Sequence, residues 1–331
     1  MKILVVGVGG RVGTMLAHEL SKVHFVMGVG ESEKVKKVRA GKVFVEKEGK
    51  RERLNVKTIF PEEFLGTERF DFIFLCVKNP VREATRFYFS KIKTENFPIL
   101  VLPQNGVEAG EEGKEELEKI LGEKIKKVEI ARVVLFNSVS SFFEEDYLVV
   151  EYSLPICLAG AIFWGKEKSG EKLKEIFFQP SFSFQFIPSK DVKNMEYSKL
   201  FLNLVGLAAA AEKKDLKDAF FEKEIFKKEI LCLREYIRVV KKSGGRFLNF
   251  KKIPVKFYAS FVEKLPLFLL IFLRKIFAYF FFRKRTHLQK LNLDEVDYYT
   301  GAVIKLAKAC SVKVLANEEV YSKIKNLILS K

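Results

Sequence analysis

Lys199 and Asn203 stand four residues apart in EYSKLFLNLVGLAAA (196–210), a stretch that is otherwise apolar or small. At about 3.6 residues per turn, positions i and i+4 share one helical face. An ammonium and an amide therefore project together from a helix built for burial. Such a pair can hold an oxygen on which negative charge develops and return a proton to it. A lysine on an apolar helix can also be a snorkelling rim group, so its neighbours decide. Two further polar residues carry the same ambiguity. Glu295 opens the helical segment LDEVDYYTGAVIKLAKAC, where it could serve chemistry or merely suit the helix dipole. Asn105 lies in LPQNGVEAGEE (102–112), where Asn-Gly is a turn dipeptide in its own right.

The elements that must position these groups begin with KILVVGVGGRVGTMLAHELSK. An apolar strand (Ile3 to Val6) meets glycines at 7, 9, 10 and 13, and an amphipathic helix follows from about Val12. Strand, glycine loop and helix in that order form a dinucleotide cradle: Gly7, Gly9, Gly10 and Gly13 allow a tight turn and close approach, and the helix N-terminus meets a pyrophosphate. Gly13 falls one position late for G-x-G-x-x-G, so the motif reads G-x-x-G-x-x-G through Gly7, Gly10 and Gly13. After the second strand, VGESEKVKK offers Glu31 for the ribose of NAD, and Lys34, Lys36 and Lys37 for the 2′-phosphate of NADP. Both cofactors stay open.

Strand-like runs at 24–29, 71–77, 97–103 and 128–136 alternate with charged or amphipathic segments. They predict an α/β fold, a doubly wound parallel sheet with helices on both faces. From about Lys190 the pattern turns helical, over 190–212, 221–242, 255–282 and 293–310. The expectation is a Rossmann-like dinucleotide-binding domain over 1–188 and an all-α substrate and dimerisation domain over 189–331, with PSFSFQFIPSK (180–190) as the boundary.

The charge of +17, from 59 Lys and Arg against 42 Asp and Glu, is spread through mixed Lys/Glu runs. It reads as a solvated, ion-pair-rich and heat-adapted surface, not as a nucleic-acid footprint. Cys76, Cys157, Cys232 and Cys310 are widely spaced, and the three histidines show no ligand spacing, so no metal site is expected. MKILVVGVGG enters a strand directly and shows no signal-peptide pattern, which points to the cytoplasm. The apolar run Leu265 to Phe282 is interrupted by Arg274 and Lys275, so stable membrane insertion is not expected. Core or oligomer packing is the preferred reading, and an interfacial helix with basic flanks (Arg283, Lys284, Arg285) is the alternative.

Taken in order, the N-terminal glycine loop, CVKNP (76–80), the QNG turn, SKLFLN and DEVDYYTGAVIKLAK resemble the ketopantoate reductase family, end to end along the chain. The resemblance implies a cytoplasmic oxidoreductase that uses NADPH or NADH to reduce a small 2-keto acid. The substrate it implies is ketopantoate, giving pantoate on the route to coenzyme A. It implies Lys199 as the catalytic lysine that hydrogen-bonds the ketone and acts as general acid. Asn203 then holds the substrate, Glu295 accepts a hydrogen bond from its hydroxyl, Asn105 stands beside nicotinamide and substrate, and Lys78 lies near the cofactor. The family's carboxylate-binding serine has its nearest counterpart in Thr286, on a loop about three residues shorter, and a second family asparagine is replaced by Leu207. These departures leave open a relative acting on a different keto acid. A non-catalytic dinucleotide-binding protein is a third reading, and a homodimer through the helical domain is a further expectation.

Overall fold

A computed structural model describes residues 1–93, 96–282 and 293–330. The chain divides into two compact units, one of residues 1–104 and 108–192, the other of 105–107 and 193–331.

The first unit carries the strands β1 (Lys2–Val6), β2 (Phe25–Val29), β3 (Val43–Lys47), β4 (Lys50–Arg53), β5 (Lys57–Ile59), β6 (Phe72–Leu75), β7 (Ile99–Leu102), β8 (Ile130–Leu135), β9 (Val139–Glu144), β10 (Tyr147–Tyr152), β11 (Ile156–Trp164) and β12 (Phe182–Phe186). Eight of them form one sheet in the order β12-β11-β8-β7-β6-β1-β2-β5, parallel throughout except where β11 opposes β8. Ile3 and Val5 join Phe72 and Phe74 in one core, whereas Leu4 and Val6 join Ile73 and Leu75 in another. Burial of both faces is what makes these strands read as unbroken apolar runs. The helices α1 (Arg11–Leu20), α2 (Ser32–Arg39), α3 (Arg82–Phe89), α4 (Ala109–Leu121) and α5 (Gly170–Ile176) connect them. The chain leaves β1 for β2 on one side and later adds β6 on the other. In open α/β sheets, ligands collect beyond the carboxyl ends of the strands at such a reversal.

A second sheet, β4-β3-β10-β9, packs on α1 and was not foreseen. It is fastened through Glu19, whose fully buried carboxylate accepts from Lys22 at 2.7 Å, Lys47 at 2.9 Å, Tyr152 at 2.7 Å and Ser181 at 2.5 Å. Burial alone would raise the Glu19 pKa, but these four donors outweigh it and hold it at about 2. The stretch PSFSFQFIPSK contains β12, an edge strand of the main sheet.

The second unit is helical, as expected: α6 (Val192–Leu204), α7 (Leu207–Ala211), α8 (Leu216–Phe221), α9 (Lys223–Lys242), α10 (Val255–Lys264), α11 (Leu267–Phe282), α12 (Thr300–Ala309) and α13 (Leu315–Leu329). Two of the long predicted helices are broken. Gly206, at φ 100°, separates α6 from α7, a conformation only glycine adopts cheaply. Pro266 separates α10 from α11 because it cannot continue the helical hydrogen bonds, and Arg234 of α9 receives the α10 end by donating to Val262 O at 2.9 Å and to Leu265 O. The segment 293–310 opens with a 3-10 turn over Leu293–Tyr298 before α12. Two buried glutamates on α9 cap other helices. Glu229 accepts the N–H groups of Gly206 at 2.6 Å and Ala208 at 3.1 Å, and Glu235 accepts those of Ala316 and Asn317 at 2.9 and 3.0 Å. Burial pushes the Glu229 carboxyl up to about 7 despite its two amide donors. Among the described residues, no helix is long and apolar enough to cross a membrane.

Candidate active site

In the first unit the candidate site is the glycine loop after β1. Gly7 and Gly9 hold φ of 94° and 84°. Gly7 also lies where a Cβ would come within 2.5 Å of Cys76 O at the end of β6. A Cβ on Gly13 would meet Gly7 O at 2.2 Å, so Gly13 is what lets α1 settle directly on the loop. Its late spacing thus fills the close-packing role of a third glycine. The loop is internally fixed: Gly7 and Val8 N–H donate to Val29 O, Gly9 N–H to Thr14 Oγ1 and Gly10 N–H to Gly7 O. The first helical bond is Thr14 N–H to Gly10 O at 2.9 Å. The amides of Arg11, Val12 and Gly13 precede it at the positive end of α1, the arrangement that receives an anionic diphosphate.

Glu31 sits exposed at the start of α2 and pairs with Lys34 at 2.9 Å. The Lys34 stem packs over Gly9, where an added Cβ would stand 2.6 Å from Lys34 Cβ. The other two lysines are engaged elsewhere, Lys36 with Glu33 at 2.8 Å and Lys37 with Asp146 at 2.5 Å. Of these residues, Glu31 and Lys34 form an ion pair beside the glycine loop. Lys78 is exposed on the segment that follows β6.

At the end of β7, buried Gln104 donates through Nε2 to Leu75 O and, at 3.1 Å, to Val77 O. Arg132 of β8, fully buried, donates to Leu102 O and to Gln104 O at 2.9 Å. These two side chains fix the backbone from which the QNG turn departs. Arg132 was not anticipated, although a lone arginine inside VEIARVVLF was its signal, since an arginine enters an apolar strand only with partners.

In the second unit, four predicted or adjacent groups converge. Asn105 Nδ2 donates to Glu295 Oε2 at 3.2 Å and to the Tyr299 hydroxyl oxygen at 3.1 Å. Tyr299 donates its hydroxyl to the same Glu295 oxygen at 2.6 Å, and Asn203 Nδ2 donates to Asn105 Oδ1 at 3.3 Å. Gly106, at φ 91°, would place a Cβ 3.2 Å from Tyr298 Cβ, so only a glycine lets the turn lie this close. Lys199 is half-buried on α6, one turn before Asn203 and on the same face. The Tyr299 hydroxyl was not anticipated from the sequence. Thr286 lies outside the described residues. Among those described, no cluster of His, Cys, Asp or Glu could hold a metal ion.

The model of the family described as ketopantoate reductase PanE/ApbA matches residues 3–140. No curated relative matches the sequence. Among solved structures, a PanE/ApbA family ketopantoate reductase from Ralstonia eutropha JMP134 is similar at 15% identity and TM-score 0.73, over 98% of this chain and 97% of that one. A D-mandelate dehydrogenase solved with NADH and anilino(oxo)acetate gives 15% identity and TM-score 0.72 over the same shares. A dimeric ketopantoate reductase from Staphylococcus aureus gives 18% identity and TM-score 0.63, over 98% of each chain. The glycine cradle and the QNG turn lie inside the segment that matches the ketopantoate reductase PanE/ApbA family model, and the fold of these reductases is shared across the whole length of the chain.

Proposed function

We propose that the protein reduces a small 2-keto acid to its 2-hydroxy acid at the expense of NADPH or NADH, with ketopantoate as substrate and pantoate as product. The observation that carries the reading is the hydrogen-bonded cluster of Asn203, Asn105, Glu295 and Tyr299, with Lys199 one turn from Asn203. The cradle of Gly7, Gly9 and Gly13 fits a dinucleotide, because a side chain at Gly7 or Gly13 would strike backbone. When bound, the reduced nicotinamide supplies the hydride. Gly7 to Gly13 and the first amides of α1 hold the diphosphate, and Glu31 with Lys34 meets the adenosine ribose. The Lys199 ammonium hydrogen-bonds the ketone oxygen, stabilises the charge that grows there and gives up its proton to it. Asn203 orients the keto acid, Glu295 accepts from its hydroxyl, and Asn105 keeps Glu295 and Asn203 in register.

A second reading has its own support. Glu295 Oε2 already accepts from both Tyr299 and Asn105. That arrangement suits a keto acid with no hydroxyl to offer, and the similar D-mandelate dehydrogenase was solved with anilino(oxo)acetate. Loss of nicotinamide absorbance, measured with ketopantoate and with an aryl 2-keto acid, each with NADPH and NADH, separates the readings. Oxidation that depends on ketopantoate supports the first, and oxidation with the aryl acid alone supports the second. Silence with every pair, from protein whose melting temperature rises with cofactor, overturns both substrates and leaves a dinucleotide-binding protein.

A further inference from the structure

The outward face of α11 is apolar where a surface helix is ordinarily polar. Phe268, Phe272 and Ile276 recur every four residues and are 73, 77 and 51% exposed, and Lys275 is exposed on the same stripe. The inward face packs on α8 and α9 and buries Leu270. Core packing therefore accounts for only one side of this helix. At its edge, Arg274 donates to Phe221 O at 3.2 Å and Ile271 O at 2.8 Å, which fixes a guanidinium at the backbone of the exposed Phe221. The preceding helix, α10, exposes Phe257 together with Lys256 and Lys264.

The charge of this segment is as unusual as its rings. Residues 251–282 hold six Lys or Arg against the single Glu263, a net of +5 within a chain of +17. Elsewhere acids and bases are interspersed, so the basic excess gathers where the phenylalanines are exposed. We propose that the α10–α11 face rests on the surface of a membrane rich in anionic lipid, with Phe268, Phe272 and Ile276 among the upper acyl chains and the lysines at the headgroups. Exposed apolar patches rimmed by polar groups mark interaction surfaces, and an apolar face with basic neighbours is the composition of interfacial helices. Like charge disfavours a second copy as occupant, because a two-fold contact would set one +5 segment against another within a Debye length of about 8 Å. A partner dense in negative charge turns the same feature into attraction, worth roughly fivefold in partitioning for each basic residue at the surface. Among the described residues no helix is long and apolar enough to cross a membrane, and Arg274 and Lys275 stand at the middle of α11.

Sedimentation of the full chain with phosphatidylcholine vesicles containing roughly one-third phosphatidylserine tests this. The wild type should pellet with those vesicles, stay in solution with pure phosphatidylcholine, and be released by salt. Phe268→Ser with Phe272→Ser should abolish pelleting, and Lys275→Glu should weaken it about tenfold or more. Both changes lie on exposed side chains, and unchanged melting temperatures confirm folding. Failure to bind anionic vesicles overturns the proposal, as does binding that the serine variant leaves intact. A dimer in light scattering that the serine variant dissolves also overturns it and assigns the face to a second copy.

Discussion

The shared helical face of Lys199 and Asn203 was legible because helix periodicity places i and i+4 together, whatever the tertiary contacts. The Tyr299 hydroxyl was not legible, because the same periodicity that puts its ring on a buried stripe says nothing of where the ring's polar tip ends. Lys199→Ala should lower kcat about 10²-fold or more, the usual scale of a general acid, while NADPH still raises the melting temperature; turnover at wild-type level would remove Lys199 from the mechanism. Tyr299→Phe tests the substrate. Its hydroxyl occupies Glu295 Oε2 at 2.6 Å, so a ketopantoate hydroxyl must displace it. The phenylalanine variant should bind ketopantoate roughly tenfold more tightly, the scale of a hydrogen bond to a charged group, with KM for an aryl keto acid unchanged. A higher KM for both would make Tyr299 a positioning residue. In the proposed cofactor site, Glu31 and Lys34 neutralise each other at 2.9 Å. Glu31→Gln should raise the NADPH-to-NADH ratio of kcat/KM, because it removes the ribose acceptor and leaves Lys34 for a 2′-phosphate.

At the scale of elements, the parallel sheet was legible because strands buried on both faces must be apolar throughout. The second sheet was not: KVFVEKEGKRER alternates buried Val43 and Val45 with charges, and its inward Lys47 is paid for by Glu19, a residue in a distant helix. The breaks at Gly206 and Pro266 have local causes, yet the buried Glu229 and Glu235 that hold the resulting helix starts read in sequence as ordinary surface acids. The glycine loop makes the sharpest prediction at this scale. Gly13→Ala brings a Cβ to 2.2 Å from Gly7 O, whereas Gly10→Ala, at φ −89°, brings one only to 3.0 Å. The first must push α1 off the loop; the second asks for a small adjustment. Titration with NADPH should show binding lost or weakened at least tenfold in Gly13→Ala and nearly kept in Gly10→Ala. Equal losses would mean that contact with the ligand, not packing of α1, sets the need for glycine.

For the whole molecule, two buried carboxylates set opposing pH dependences. Glu19, held at about 2 against an ordinary 4.5, binds fewer protons folded than unfolded. Its contribution is complete above 4.5 and is lost as pH falls toward 2. Glu229 is the reverse: raised to about 7, it stays protonated in the fold where the unfolded chain has released its proton. Its contribution is complete below 4.5 and declines by roughly 3 kcal/mol as pH rises to 7. Stability should therefore peak near pH 4.5 to 5 as far as these two groups decide it, below the neutral range where most proteins are firmest. Denaturant midpoints taken across pH isolate each group through the slope, which is independent of any fixed cost of a substitution. Glu229→Gln should flatten the fall between 4.5 and 7 and leave the acid limb alone. Glu19→Gln should flatten the acid limb and leave the fall in place, because the two carboxylates belong to different units of the chain. An unaltered slope above 4.5 in Glu229→Gln would show that its carboxyl is ionised in the fold and that the Gly206 and Ala208 amides outweigh its burial.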